Sequence, residues 1–429
     1  MPIDKRFLRV IREMAEGKLG YTSGRTDPIT KSHFWWDDIT IIPAQLSKAP
    51  FDHYRESQLF RSRKTYATRY SEKGITLDVP LVISGMSYGA ISKSSKLAVH
   101  NAANRLAEEG IIIAVNTGEG GALDFELHDR KYVLIGQYAS GRFGITKEYL
   151  ENVDALEIKI GQGAKTGQGG HLLAKKITAD IAKHRNLPMG VDALSPARHI
   201  DIVGPEDLTA KIREIRSYPY WNDKPIFVKY GAANVAADVK IAVKAGADLV
   251  AVDGMEGATG AAHISVLHHV GQYTIPSIPA ARKAIDEFLQ RQYLTNQRYD
   301  ESVLFDNVDL LASGGIYTVS IAFKALALGA DLVGMSTAIL VAMGCTTCDQ
   351  CSEGKCNQGI ATQDKELERK LDVARASENI YHFIKRFNDD LRMLYMACGY
   401  YDYGSTTKED LRTINPAISK MTGIKMQGE

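Results

Sequence analysis

Short apolar runs that end in small or polar residues recur along the chain. They fall at Pro80–Ser87 (PLVISGMS), Ile111–Gly118 (IIIAVNTG), Ala155–Gly161 (ALEIKIG), Met189–Ser195 (MGVDALS), Ile226–Gly231 (IFVKYG), Leu249–Gly254 (LVAVDG), Val308–Gly315 (VDLLASGG) and Leu332–Ala338 (LVGMSTA). Between several of them, apolar residues return every three or four positions, as in Ser92–Glu109, Ala233–Ala245 and Val319–Leu328, which predicts helices. Strand-then-helix alternation calls for a parallel sheet, and eight such units predict an α/β fold closed as a (β/α)8 TIM barrel. The Gly, Asp, Lys and Ser residues that finish the runs then gather at the C-terminal mouth, the side on which barrel enzymes place their chemistry.

Four regions follow from this pattern. Residues 1–79, with the aromatic and acidic stretch Phe34–Asp38, form an N-terminal cap, and residues 80–344 form the barrel. Residues 345–363 form a cysteine-rich loop, and residues 364–429 form a helical extension. Within the extension Leu367, Leu371, Ile380, Phe383, Phe387, Leu391 and Leu394 recur at helical spacing, as expected of a helix covering the core.

Composition narrows the function classes. A chain of 429 residues, 45% hydrophobic and 24% charged, is an ordinary globular protein with a large core. A formal charge of +1 argues against a nucleic-acid footprint. No apolar run approaches the roughly 18 to 20 residues that cross a bilayer, and Met1–Gly20 lacks a signal-peptide core, so a cytoplasmic protein is expected. Four of the five cysteines lie between Cys345 and Cys356, a distribution that suits metal ligands better than disulfides.

Four constellations carry candidate chemistry. Ser313-Gly314-Gly315-Ile316 and Gly334-Met335-Ser336-Thr337 follow the last two strand runs, where barrels commonly hold a phosphate on backbone N–H groups; the alternative is that the glycines only make tight turns. Lys159 and Lys229 each stand in an apolar run. A cation there should point into the mouth to meet negative charge, and a flavin, whose reduced ring gathers charge near N1 and the C2 carbonyl, fits that demand unless the lysines snorkel to water. Glu119, in Asn116-Thr117-Gly118-Glu119-Gly120-Gly121, is a carboxylate on a glycine-flanked loop, placed to orient a substrate or move a proton, or an ordinary loop residue. Cys345, Cys348, Cys351 and Cys356 are nested closely enough to suit an iron–sulfur cluster, with zinc as the alternative. Cys398, isolated in an apolar helix, reads as a core residue.

The motifs GMSYGAIS (Gly85–Ser92), NTGEGG (Asn116–Gly121), SGRFGIT (Ser140–Thr146), IKIGQGAKTGQGG (Ile158–Gly170), SPARHIDI (Ser195–Ile202), DGMEGATGA (Asp253–Ala261) and CNQGIATQ (Cys356–Gln363) carry a resemblance. Over roughly Pro80 to Asp410 the chain resembles the FMN-binding synthase domain of the glutamate synthase large subunit, including stand-alone subunits of the N-methylglutamate synthase type. The resemblance implies FMN over the barrel mouth and an iron–sulfur cluster that relays electrons to it from ferredoxin or an NAD(P)H-linked flavoprotein subunit. It implies hydride transfer to a 2-imino acid formed from ammonia and a 2-oxo acid, 2-oxoglutarate in that family. Glu119 and Lys159 match its active-site residues. Met86, Ser87, Asn116, Lys229, Gly314, Gly315, Gly334, Met335, Ser336 and Thr337 fall at flavin-side positions, and the chain is expected to work as an oligomer or a complex subunit.

Three departures qualify the likeness. The family's large subunit begins with an amidotransferase domain whose nucleophile is an N-terminal cysteine, whereas Pro2 follows Met1 here, so ammonia, an amine or a separate glutaminase subunit is expected to supply nitrogen. His171 stands where glutamate synthase has a glutamine near the substrate; it is either a catalytic group suited to another substrate or nitrogen donor, or a residue that orients others. Cys345, Cys351 and Cys356 match the pattern for a three-iron (3Fe–4S) cluster, and Cys348 either completes a four-iron (4Fe–4S) cluster or points away. Two other functions stay open: an FMN-dependent 2-hydroxy acid oxidase or dehydrogenase, and a non-catalytic scaffold stapled by zinc.

Overall fold

Eight parallel strands close into a barrel: β1 Leu81–Ile83, β2 Ala114–Asn116, β3 Val133–Ala139, β4 Ala155–Lys159, β5 Ile226–Gly231, β6 Leu249–Asp253, β7 Asp309–Ser313 and β8 Leu332–Met335. Each pairs with the next in sequence, and β8 returns to β1. The computed structural model describes residues 21–25, 36–52, 56, 64–68, 71–295 and 307–429. Ten helices of the described residues matter below: α1 Lys93–Glu108, α2 Asp124–His128, α3 Lys147–Asn152, α4 Ala179–Arg185, α5 Pro205–Arg216, α6 Val235–Ala245, α7 Thr274–Thr295, α8 Val319–Ala327, α9 Thr337–Met343 and α10 Val373–Ala397. The three helices expected from periodicity are α1, α6 and α8, with ends moved by two residues at most.

One strand differs from expectation. Met189–Ser195 is not in the barrel: Ala193–Leu194 alone forms a short antiparallel pair with His171–Leu172, and Met189, Val191 and Leu194 are 62%, 47% and 59% exposed. The missing strand is β3, VLIGQYA, whose apolar run is broken by Gly136 and Gln137. Both breaks have a tertiary cause. A Cβ at Gly136 would sit 2.9 Å from the Tyr149 hydroxyl on α3, and the buried Gln137 carboxamide donates at 2.7 Å to Oε1 of Glu157, its register partner on the neighbouring strand β4.

The far end of the barrel is closed by the hairpin Lys64–Thr68 and Ser71–Leu77, from which Tyr66, Ile75 and Leu77 pack on Val82, Phe227 and Leu311 inside the barrel. The hairpin belongs to the segment 1–79 that is expected to form a cap, much of which lies outside the described residues. Of the aromatic stretch, Phe34 and Trp35 lie outside the described residues, while Trp36 is buried and its carbonyl accepts from Lys324 Nζ at 2.7 Å. The expected C-terminal helix is α10, which buries Ile380, Phe387 and Leu391 and packs along α1. Among the described residues no helix is long and apolar enough to cross a membrane.

Ser92 joins the barrel to the cysteine-rich region. Its Oγ accepts from Ser95 N at 3.2 Å as the N-cap of α1 and donates to the Gly359 carbonyl at 2.8 Å. Ser92→Ala is therefore expected to cost about 1–2 kcal/mol, a lost cap together with an unsatisfied buried carbonyl, measured by urea denaturation.

Candidate active site

The loops after the strands surround one cavity of about 410 Å³ at the C-terminal mouth. Glu119 enters it on the loop after β2, where Gly118 has φ 73° and a Cβ would run into the Ser87 backbone, so only glycine lets the first two mouth loops pack this closely. Ser195 Oγ donates to Glu119 Oε1, and Lys159 Nζ, at the end of β4, lies 3.5 Å from Oε2. Burial pushes the Glu119 carboxyl up, but Lys159, the Ser195 hydroxyl, Arg185 and Lys165 together hold it below the ordinary value. A Cβ at Gly170 would strike Glu119 Oε2, so this glycine leaves the carboxylate its room.

Two further cations complete this side. Lys165 is buried and donates to the Ala261 carbonyl at 2.8 Å. Burial, then the Lys159 charge, lowers its pKa to about 7 against the pull of Glu119. Arg185, the last residue of α4, donates to the Tyr88 carbonyl at 2.6 Å and the Glu119 carbonyl at 3.2 Å, and burial lowers its pKa to about 10. Three cations thus face one carboxylate, an arrangement built to receive an anion. Lys165 was within reach of sequence reasoning, since it sits in the same run as Lys159; Arg185 looks like any helix arginine.

Lys229 on β5 is buried, which removes the snorkelling alternative for this residue. Its Nζ lies 3.9 Å from both Glu157 Oε1 and Asp253 Oδ2. Burial opposes its charge, but the two carboxylates outweigh burial and raise its pKa. Asp253 is itself fixed, accepting from Ser313 Oγ at 2.8 Å and from Gly163 N at 2.9 Å. Met86, Ser87, Gly314, Gly315, Gly334, Ser336 and Thr337 line the cavity. Asn116 and Met335, expected beside them, stand behind its wall: the Asn116 carboxamide accepts from Gly118 N at 2.9 Å to close that turn, and Met335 packs into the hydrophobic core.

His171 also lines the cavity, and its Nε2 lies 2.6 Å from Asp192 Oδ2, while Asp192 Oδ1 accepts from Ala174 N at 2.7 Å. Cys345, Cys348, Cys351 and Cys356 also border the cavity, all unbridged, whereas Cys398 is buried and does not line it. Thr347 and Asp349, on either side of Cys348, both have left-handed backbones at φ 52° and 56°. For a β-branched threonine that is a strained conformation. Among the described residues no three His, Cys, Asp or Glu side chains gather as ligands of a single metal ion. The four cysteines form a collar on the cavity.

Comparison with known proteins agrees with this architecture. A family model described as the conserved region in glutamate synthase matches residues 36–401. A glutamate synthase large subunit-like protein of Rhizobium meliloti (strain 1021) is 36% identical over 412 residues, covering 92% of this chain and 88% of that protein. An archaeal-type NADPH glutamate synthase of Dehalococcoides mccartyi is 36% identical over 415 residues, covering 92% of this chain and 78% of that protein. Among solved structures, a mutant flavocytochrome b2 with sulfite bound shares the fold at a TM-score of 0.53 and 14% identity, covering 98% of this chain and 88% of that one. The chain therefore belongs to the glutamate synthase family, through the FMN-binding synthase domain of its large subunit.

Proposed function

We propose that this FMN-dependent oxidoreductase aminates a 2-oxo acid reductively, with 2-oxoglutarate as the substrate and an iron–sulfur cluster on Cys345, Cys351 and Cys356. The observation that carries the reading is that Glu119, the cations Lys159, Lys165 and Arg185, Lys229 and the cysteine collar all open onto one cavity. The residues fit the two groups. The cavity volume is in the range of cofactor sites, one wall is glycine, and Lys229 is a buried charge suited to an electron-rich flavin edge. Four cysteines nested between residues 345 and 356, all bordering the cavity, suit an iron–sulfur cluster better than zinc. Bound FMN would supply the hydride.

The chain's own residues then have separable tasks. Lys165 and Arg185 bind the carboxylates of a diacid, and the Glu119 carboxylate, fixed by Ser195, orients the nitrogen. The Lys159 ammonium holds a proton 3.5 Å from that carboxylate, where the product amine needs one. His171, tied to Asp192, borders the same space and shapes the choice of acid or nitrogen donor. Electrons come from ferredoxin or an NAD(P)H-linked flavoprotein. Nitrogen comes from ammonia, an amine or a glutaminase subunit, in a cytoplasmic setting consistent with five unbridged cysteines. A 2-hydroxy acid oxidase would need neither the cysteine collar nor an electron-donor partner.

Lys165 loses its charge in the empty site as pH rises through about 7. The KM for 2-oxoglutarate is therefore expected to climb above about pH 7, approaching about tenfold per pH unit, with kcat little changed. Lys165→Met should raise KM at pH 6 and flatten this rise; initial rates between about pH 6 and 9 test both.

The function itself is tested by anaerobic purification and a count of flavin, iron and sulfide per chain, followed by assay of 2-oxoglutarate with ammonia and a low-potential reductant. One FMN, three or four irons and glutamate as product are expected. Flavin without iron after reconstitution would move the reading to a plain FMN dehydrogenase, and zinc without flavin would defeat the enzymatic reading.

A further inference from the structure

Lys176 is a buried cation that the reaction outlined above does not use. It closes the turn Ala174–Lys176 between β4 and α4 and is 5% exposed. Its Nζ donates to the Ala90 carbonyl at 2.9 Å, and the Cys351 and Ala361 carbonyls lie at 3.4 Å. Its stem runs over Gly354, where a Cβ would come within 3.3 Å of Lys176 Cγ. Among the described residues no carboxylate forms an ion pair with it, although its neighbour Lys175, on the surface, pairs with Glu353 at 3.0 Å.

A charge taken out of water without an opposite charge is costly, and a lysine buried this far stays an ammonium only where an anion stands near it; the Lys176 Nζ faces the cysteine loop, where such an anion would stand. Thiolates carrying an iron–sulfur cluster are such an anion. The position also joins two loops, since Ala90 belongs to the stretch after β1 that lines the cavity, and Cys351 and Ala361 flank the cluster side. The same loops are held together by Ser92 N donating to the Ile360 carbonyl at 2.7 Å and by Gln363 Nε2 donating to the Gly89 and Ile91 carbonyls at 3.2 and 3.0 Å.

We propose that Lys176 is the counter-charge of the cluster that Cys345, Cys351 and Cys356 would hold, and that it raises that cluster's reduction potential. This rests on the cluster reading given above. One-electron reduction makes the cluster more negative, and a fixed positive charge a few ångströms away in a poorly screened site favours that product.

The test is an EPR-monitored redox titration of the anaerobically purified protein, with iron and sulfide counted in each variant. In Lys176→Gln and Lys176→Met the cluster's reduction equilibrium is expected to shift at least tenfold toward the oxidised form, about 59 mV downward for one electron. Lys176→Arg, which keeps the charge, and Lys175→Gln, which removes a solvent-screened one, should each stay within about twofold of the parent. Neutral variants with full iron and an unmoved potential overturn the proposal, as does Lys176→Arg shifting as far as Lys176→Gln. If the neutral variants fold but lose iron, retention of the cluster in Lys176→Arg supports the charge role and its loss there overturns it. Parent protein that holds no iron after reconstitution overturns the cluster reading itself, a result distinct from a normal cluster that ignores Lys176.

Discussion

Lys229→Met is expected to abolish flavin retention and to lower stability by about 3–5 kcal/mol, because it leaves Glu157 and Asp253 buried without their shared cation. The sign is set by geometry: methionine fills the volume, but two buried carboxylates are then left close together with no cation between them. The two consequences are separable. Adding Glu157→Gln removes one of the stranded charges, so the double variant should recover much of the stability and none of the flavin. Denaturant unfolding, together with flavin released per chain, measures both. A Lys229→Met protein that keeps one FMN per chain would remove this lysine from the proposed site.

Glu119→Gln should fold, keep its flavin and lose about 10²- to 10⁴-fold in kcat. Glutamine is nearly isosteric and still accepts from Ser195 through its oxygen, so the loss isolates the negative charge opposite Lys159. A second signature follows from electrostatics. Glu119 supports the Lys165 charge, so its removal depresses that lysine further and moves the pH-dependent rise in KM to lower pH. Steady-state kinetics over the same pH range read both effects. A variant within about threefold of the parent kcat would show that Glu119 is only a loop residue.

Much of the site could be read along the chain because its residues stand at strand ends. Glu119, Lys159, Lys229 and the glycines of the last two loops all lie where an apolar run stops, and the barrel carries every such stop to the same mouth. The cysteines were legible from spacing alone, which says that they are neighbours but not what they enclose. Arg185 was not legible. Its helix, ADIAKHR, has nothing to mark one basic residue from the next, and only the packing of α4 against the Tyr88 and Glu119 carbonyls selects it.

The misread strand shows the same limit from the other side. Met189–Ser195 has the apolar composition of a strand but no face to cover it. Val133–Ala139 looks interrupted because Gly136 makes room for Tyr149 and Gln137 holds Glu157. Apolar periodicity records which residues avoid water, and so by itself determined the alternation of strand and helix, the barrel and the mouth. The pairing of Lys229 with two carboxylates, the depressed pKa of Lys165 and the burial of Lys176 against the cysteine loop were decided by the tertiary structure. Each depends on how far a charge is taken from water and what stands opposite it, and the elements that answer those questions are distant in sequence.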